Sequence, residues 1–132
     1  TIYIALQSLQ GKRVSLNDIA HKIDSPVAFT AKILQQLAKN KIVDSVRGPS
    51  GGFEIERKKM KTVKLSNIVS AIDGEGIYRG CALGLNVCNE NQPCPVHNQF
   101  KIIRNELKEM LESTSIRDLA LGLKEGETFL KR

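Results

Sequence analysis

Three thiols and one imidazole fall within seventeen consecutive positions: Cys81, Cys88, Cys94 and His97. Thiolates are soft donors that select zinc, copper(I) or iron–sulfur clusters, and a histidine can complete a four-ligand set. Six residues separate Cys81 from Cys88, and five separate Cys88 from Cys94. Structural zinc sites usually bring their ligands in pairs roughly two to four residues apart. These wider gaps suit a cluster, and zinc or bare redox-responsive thiols remain alternatives. Cys94 and His97 also have the residue types of a thiol nucleophile and its base. No orienting acid or oxyanion loop accompanies them, which argues against an enzyme. An odd cysteine count with no secretory signal at Thr1–Leu9 argues against a disulfide framework and points to the reducing cytoplasm.

A second chemistry is carried by charge. The chain has 132 residues and a formal charge of +6, distributed unevenly. Residues 1–64 hold twelve Lys/Arg against five acids, a net of +7, whereas residues 65–132 hold eight against nine, a net of −1. A basic front half is the electrostatic footprint of a polyanion partner. No stretch approaches the roughly 18 to 20 apolar residues that span a bilayer, so no membrane partner is expected; the expected partner is DNA and not a small-molecule substrate.

The elements that must position these groups read as mainly α-helical with one small β-hairpin. Residues 2–9 fit a buried first helix. Ser15 stands three positions before Asp18 and caps a short helix over Leu16–Ile23, whose apolar residues recur at helical spacing. After a turn at Asp24-Ser25, Ser25 and Pro26 open a helix to about Lys39, with Ser as the cap and Pro in the first turn. Thr30, Ile33, Leu34 and Leu37 face inward, and Ala28, Lys32, Gln35 and Lys39 face outward. Two helices on so short a turn form a helix-turn-helix. Ile42–Arg47 and Phe53–Ile55 then alternate as strands around Gly48-Pro49-Ser50-Gly51-Gly52, the hairpin wing of a winged helix. A glycine-rich tip lets backbone approach a phosphate track or the minor groove, where Arg47 is attracted.

Arg57-Lys58-Lys59-Met60-Lys61 reads as a basic, solvated connector. Lys64–Asp73 is a short amphipathic helix, and residues 74–94 form an aperiodic, cysteine-bearing loop. A long helix from about Pro95 to Glu112 carries the seam Phe100, Ile103, Leu107, Met110 and Leu111. Lys101, Arg104, Lys108 and Glu109 face water. That stripe is longer than a lone winged domain covers, so the expectation is a dimerisation helix. Ser115–Leu121 ends the chain as a short capped helix. The expected organisation is a DNA-binding winged helix over 1–64, a connecting helix and cysteine loop over 65–94, and a dimerisation region over 95–132.

The run from Lys39 to Phe53, with its Arg47-Gly48-Pro49-Ser50-Gly51-Gly52 core, resembles the wing of the Rrf-two family of bacterial transcription regulators. Pro93-Cys94-Pro95-Val96-His97 is similar to the cysteine segment of the same family, and the resemblance spans essentially the whole chain. It implies a homodimeric repressor or activator that binds a pseudo-palindromic, double-stranded operator with an affinity set by an iron–sulfur cluster. Carried over by position, Ser25, Pro26, Val27, Ala28, Phe29 and Lys32 open the reading helix, and Arg47, Gly48, Pro49, Ser50 and Gly51 form the wing. Cys81, Cys88 and Cys94 would be the thiolate ligands. His97 matches the fourth ligand of the IscR branch, which favours a two-iron cluster over a four-iron one. The first cysteine gap is one residue longer than the family's pattern. Ala31 also stands where some relatives carry an acidic base reader, so no operator sequence carries over.

Overall fold

A computed structural model describes residues 1–131. Eight helices and one hairpin follow in the order α1 (Ile2–Leu9), α2 (Leu16–Lys22), α3 (Val27–Lys39), β1 (Asp44–Val46), β2 (Gly52–Glu54), α4 (Arg57–Thr62), α5 (Leu65–Asp73), α6 (Gly76–Arg79), α7 (His97–Ser113) and α8 (Ile116–Lys124). The mainly helical winged helix-turn-helix expected from the sequence is the architecture observed.

The core is aliphatic because the chain has almost no aromatic residues to fill it. Ile4, Leu37, Val43, Met60 and Ile116 are its largest fully buried side chains. They come from α1, α3, the approach to β1, α4 and α8, so one cluster ties the two ends of the chain together. Residues 57–61 are therefore not a solvated connector. Met60 is completely buried, Lys59 Nζ donates to both carboxylate oxygens of Asp44 at 2.7 and 2.8 Å, and the segment winds into α4. Six residues are too few to show a period, so burial of Met60 decides the conformation where local pattern is silent.

Helix boundaries follow local chemistry. Ser15 Oγ accepts from the backbone N–H of Asp18 at 3.1 Å, satisfying one of the free donors of α2. At α3 the expectation of a serine cap is corrected. Pro26 takes the capping position, and the Ser25 hydroxyl stands 3.1 Å from Thr30 Oγ instead. Thr30 donates its proton to Pro26 O at 3.0 Å, so its buried hydroxyl is satisfied by the turn that precedes its own helix.

At α8, Ser115 Oγ accepts from Asp118 N at 3.1 Å and donates to its carboxylate at 2.5 Å. That bond is the main reason the Asp118 carboxyl titrates below its ordinary range. Ser115→Ala is expected to lower the unfolding free energy by about 1 kcal/mol, measured by urea titration at neutral pH. A carboxylate with a depressed pKa stabilises the fold above its unfolded-state pKa. The contribution drains as pH falls through the folded value, so the variant's deficit should shrink in acid.

Candidate nucleic-acid interface and thiol centre

The surface expected to read DNA lies on α3. Its inward side carries Thr30, Leu34 and Leu37, all buried, and its outward side leaves Ala28, Phe29, Lys32, Gln35, Gln36 and Lys39 exposed. Of the residues expected to meet DNA, Pro26, Val27, Ala28, Phe29, Lys32, Arg47, Gly48, Pro49 and Ser50 are exposed, while Ser25 and Gly51 are half-buried. The structure thus leaves most of them free on one helix and the hairpin that follows it.

The wing is held rigid from below. Strands β1 and β2 pair antiparallel, Asp44 opposite Glu54 and Val46 opposite Gly52. Val14 adds a bridge, donating to Phe53 O at 3.1 Å and accepting from Phe53 N at 2.8 Å. Arg13 braces the same hairpin, donating from Nε to Glu54 at 2.9 Å and from Nη1 to Ser50 O at 3.4 Å. The sequence reading missed Arg13, because a contact across 41 residues leaves no mark in local spacing. Two glycines are obligatory here. A Cβ on Gly51 would sit 2.2 Å from Val46 O. Gly52 has φ +138°, and a Cβ there would lie 2.7 Å from Val14 O. The tip is glycine-rich because hairpin backbone fills the space a side chain would need.

Of the four candidate ligands, Cys88 and His97 meet at the start of α7. Cys88 Sγ lies 3.5 Å from His97 Nδ1, and His97 is buried. The Cys81 thiol is held below its ordinary pKa, chiefly by the backbone N–H groups of Leu83 and Leu85, with smaller help from Cys94 and Gly84. The three cysteines are half-buried and unpaired by disulfide. Among the described residues, no three His, Cys, Asp or Glu side chains converge on one metal position.

The loop is tied to α7 by residues expected to face water. Arg104 Nη1 donates to Gly80 O at 2.9 Å and stands 3.6 Å from Cys88 Sγ. Lys101 pairs with Glu90, and that contact is what keeps the Glu90 carboxyl ionised to lower pH than usual. Both cations turn toward the loop because it folds back over the first two turns of α7, which helical periodicity cannot foretell. The expected dimer seam is divided. Leu111 is buried against this chain, Phe100 and Leu107 are half-buried, and Ile103 and Met110 are exposed together with Ile102, which the sequence reading left out.

Comparison with known proteins places these features in context. The Rrf2 (Rrf-two) family model, described as an iron-dependent transcriptional regulator, matches residues 1–121. A protein of Aquifex aeolicus named as an HTH-type transcriptional regulator is 30% identical over 131 residues, covering 96% of this chain and 87% of the relative. The HTH-type transcriptional regulator IscR of Xenorhabdus nematophila is 28% identical over 116 residues, covering 88% of this chain and 69% of that protein. Among solved structures, IscR of T. potens matches with a TM-score of 0.72 at 19% identity, covering 97% of this chain and 83% of the other. CymR of B. subtilis, described as a global cysteine regulator, matches with a TM-score of 0.71 at 22% identity, covering 91% and 86%. These two share the fold.

Proposed function

This chain belongs to the Rrf2 family of transcriptional regulators, and we propose that it is a cytoplasmic homodimer whose affinity for a pseudo-palindromic operator is set by an iron–sulfur cluster. As a member of that family it is a DNA-binding regulator and not an enzyme. In this reading α3 enters the major groove and the Gly48–Gly52 turn follows the adjacent backbone, with Lys32, Lys39 and Arg47 supplying positive charge.

The observation that carries the sensing half of the proposal is the contact between Cys88 and His97 in a segment with two further thiols. A two-iron cluster takes two protein ligands on each iron, and a single zinc ion takes four around one point. Cys88 and His97 stand 3.5 Å apart as one such pair, and Cys81 and Cys94 are the two remaining thiols of the same segment. Three thiols and an imidazole are donors that suit a two-iron cluster, with Cys81, Cys88, Cys94 and His97 as its holders. When bound, such a cluster supplies a redox-sensitive charge and a four-point cross-link.

The chain's own contribution is to connect that cross-link with the reading helix. His97 opens α7, and Arg104 and Lys101 fasten the loop along it. Helix α5 packs against both α7 and α3. An ordered loop therefore biases the seating of α3 through one intervening helix. The exposed Ile102, Ile103 and Met110 supply the apolar seam for the second copy, whose half-site spacing then depends on how the two winged helices are held.

Anaerobic isolation of wild-type protein is expected to give a coloured species with iron and sulfide in equal amounts. Cys88→Ala, assayed the same way, should lose nearly all of both while its far-UV circular dichroism is unchanged. A colourless wild-type protein carrying stoichiometric zinc would overturn the cluster in favour of a single-ion site.

A further inference from the structure

The outward face of α3 has an unusual tip for a helix that reads DNA. In its first two turns Val27, Ala28, Phe29 and Ala31 have no side-chain donor or acceptor, and Lys32 alone can hydrogen-bond a base edge. Phe29 is 59% exposed and Val27 45%. A single exposed apolar residue is ordinary, but a phenylalanine one turn from Lys32 on this helix is placed where a partner arrives.

We propose that Phe29 is a specificity-determining residue that reads the 5-methyl group of thymine in the major groove. The inference rests on the reading that α3 enters that groove. Thymine is the one base to present a methyl group there, and apolar side chains discriminate it by contact. Lys32, three residues on and therefore adjacent on the helix surface, is a donor suited to guanine O6 and N7. The half-site this pair selects has a thymine close to a guanine.

Charge decides the kind of occupant. The N-terminal 64 residues carry a net +7, and Lys32 and Lys39 share the outward face with Phe29, so the complementary surface is anionic with apolar points. A second copy of the chain is a poor occupant, since it would bring the same positive charge. The apolar seam that suits a copy lies instead on α7, at Ile102, Ile103 and Met110.

The test uses duplexes selected from a random pool by the full-length protein, with each thymine then replaced singly by uracil, which lacks only the methyl. At one position per half-site the wild-type protein should bind the uracil duplex about fourfold more weakly, the worth of one buried methyl. Phe29→Ala should bind thymine and uracil duplexes equally, and Phe29→Leu should restore part of the difference. A far-UV circular dichroism spectrum and a urea midpoint matching wild type verify the fold of Phe29→Ala. Equal binding of thymine and uracil by wild type, with selected sites still preferred over unrelated DNA, overturns the role of Phe29 alone. A difference that persists in Phe29→Ala overturns it too, because the methyl is then read elsewhere. Failure to prefer any sequence at all removes the groove reading on which the proposal stands.

Discussion

Gly52→Ala is expected to weaken operator binding by at least about tenfold while leaving the helical core folded. The reason is entirely local. Gly52 adopts φ +138°, a conformation that costs an L-residue about 1–3 kcal/mol. Its new Cβ would stand 2.7 Å from Val14 O and 3.0 Å from Val14 C, both backbone atoms that cannot swing aside. Relief requires β2 to move away from Val14, breaking the Val14–Phe53 bridge and with it the platform under the wing. Misplacing Arg47 and its neighbours by a fraction of an ångström removes backbone contacts. A tenfold loss needs only about 1.4 kcal/mol of them. Fluorescence anisotropy on one operator, beside a urea titration by circular dichroism, separates the two effects. Affinity within twofold of wild type would show that the wing does not contribute to binding.

Ile116→Ala should lower the unfolding free energy by about 2–5 kcal/mol. Ile116 is fully buried and opens α8, which packs on both α1 and α4. Its neighbours in the cluster include Ile4 and Met60, neither of which has solvent to turn to when the side chain is cut back. The cavity left is lined by rigid aliphatic groups that collapse only partly, and this is why the cost exceeds transfer of three carbons. Reversible urea unfolding measures it directly. A loss under about 1 kcal/mol would mean that α8 is an appendage and not a wall of the winged-helix core.

That role of α8 marks the boundary of what the sequence discloses. The cap at Ser15, the inward stripe of α3 and the glycine wing are consequences of residues within one turn of each other, so they are legible in the linear pattern. The packing of α8 on α1, which puts Ile116 and Ile4 in one core cluster, joins the two ends of the chain, and no local period announces it. Met60 and Arg104 teach the same lesson at shorter range. Each sits in a segment whose charged neighbours read as solvated, and each is claimed by a tertiary partner: the core for Met60, Gly80 and Cys88 for Arg104. At the thiol centre the four ligand types were evident from composition. The meeting of Cys88 with His97 depends on how the loop folds over α7, and spacing alone leaves zinc and cluster both open.

The central claim is that the state of the thiol centre sets the grip of the winged helix on DNA. It is tested most directly by one anaerobic titration at fixed salt, because phosphate contacts make every affinity salt-dependent. A labelled operator is titrated with iron-loaded wild-type protein and with the same protein stripped by a chelator, its iron content assayed before and after. The two dissociation constants are predicted to differ by at least about fivefold, the lower end of ordinary allosteric coupling, with Cys88→Ala fixed at the stripped value under either treatment. Equal dissociation constants for forms that differ verifiably in iron would contradict the account, leaving a DNA-binding protein whose cysteines do not govern it.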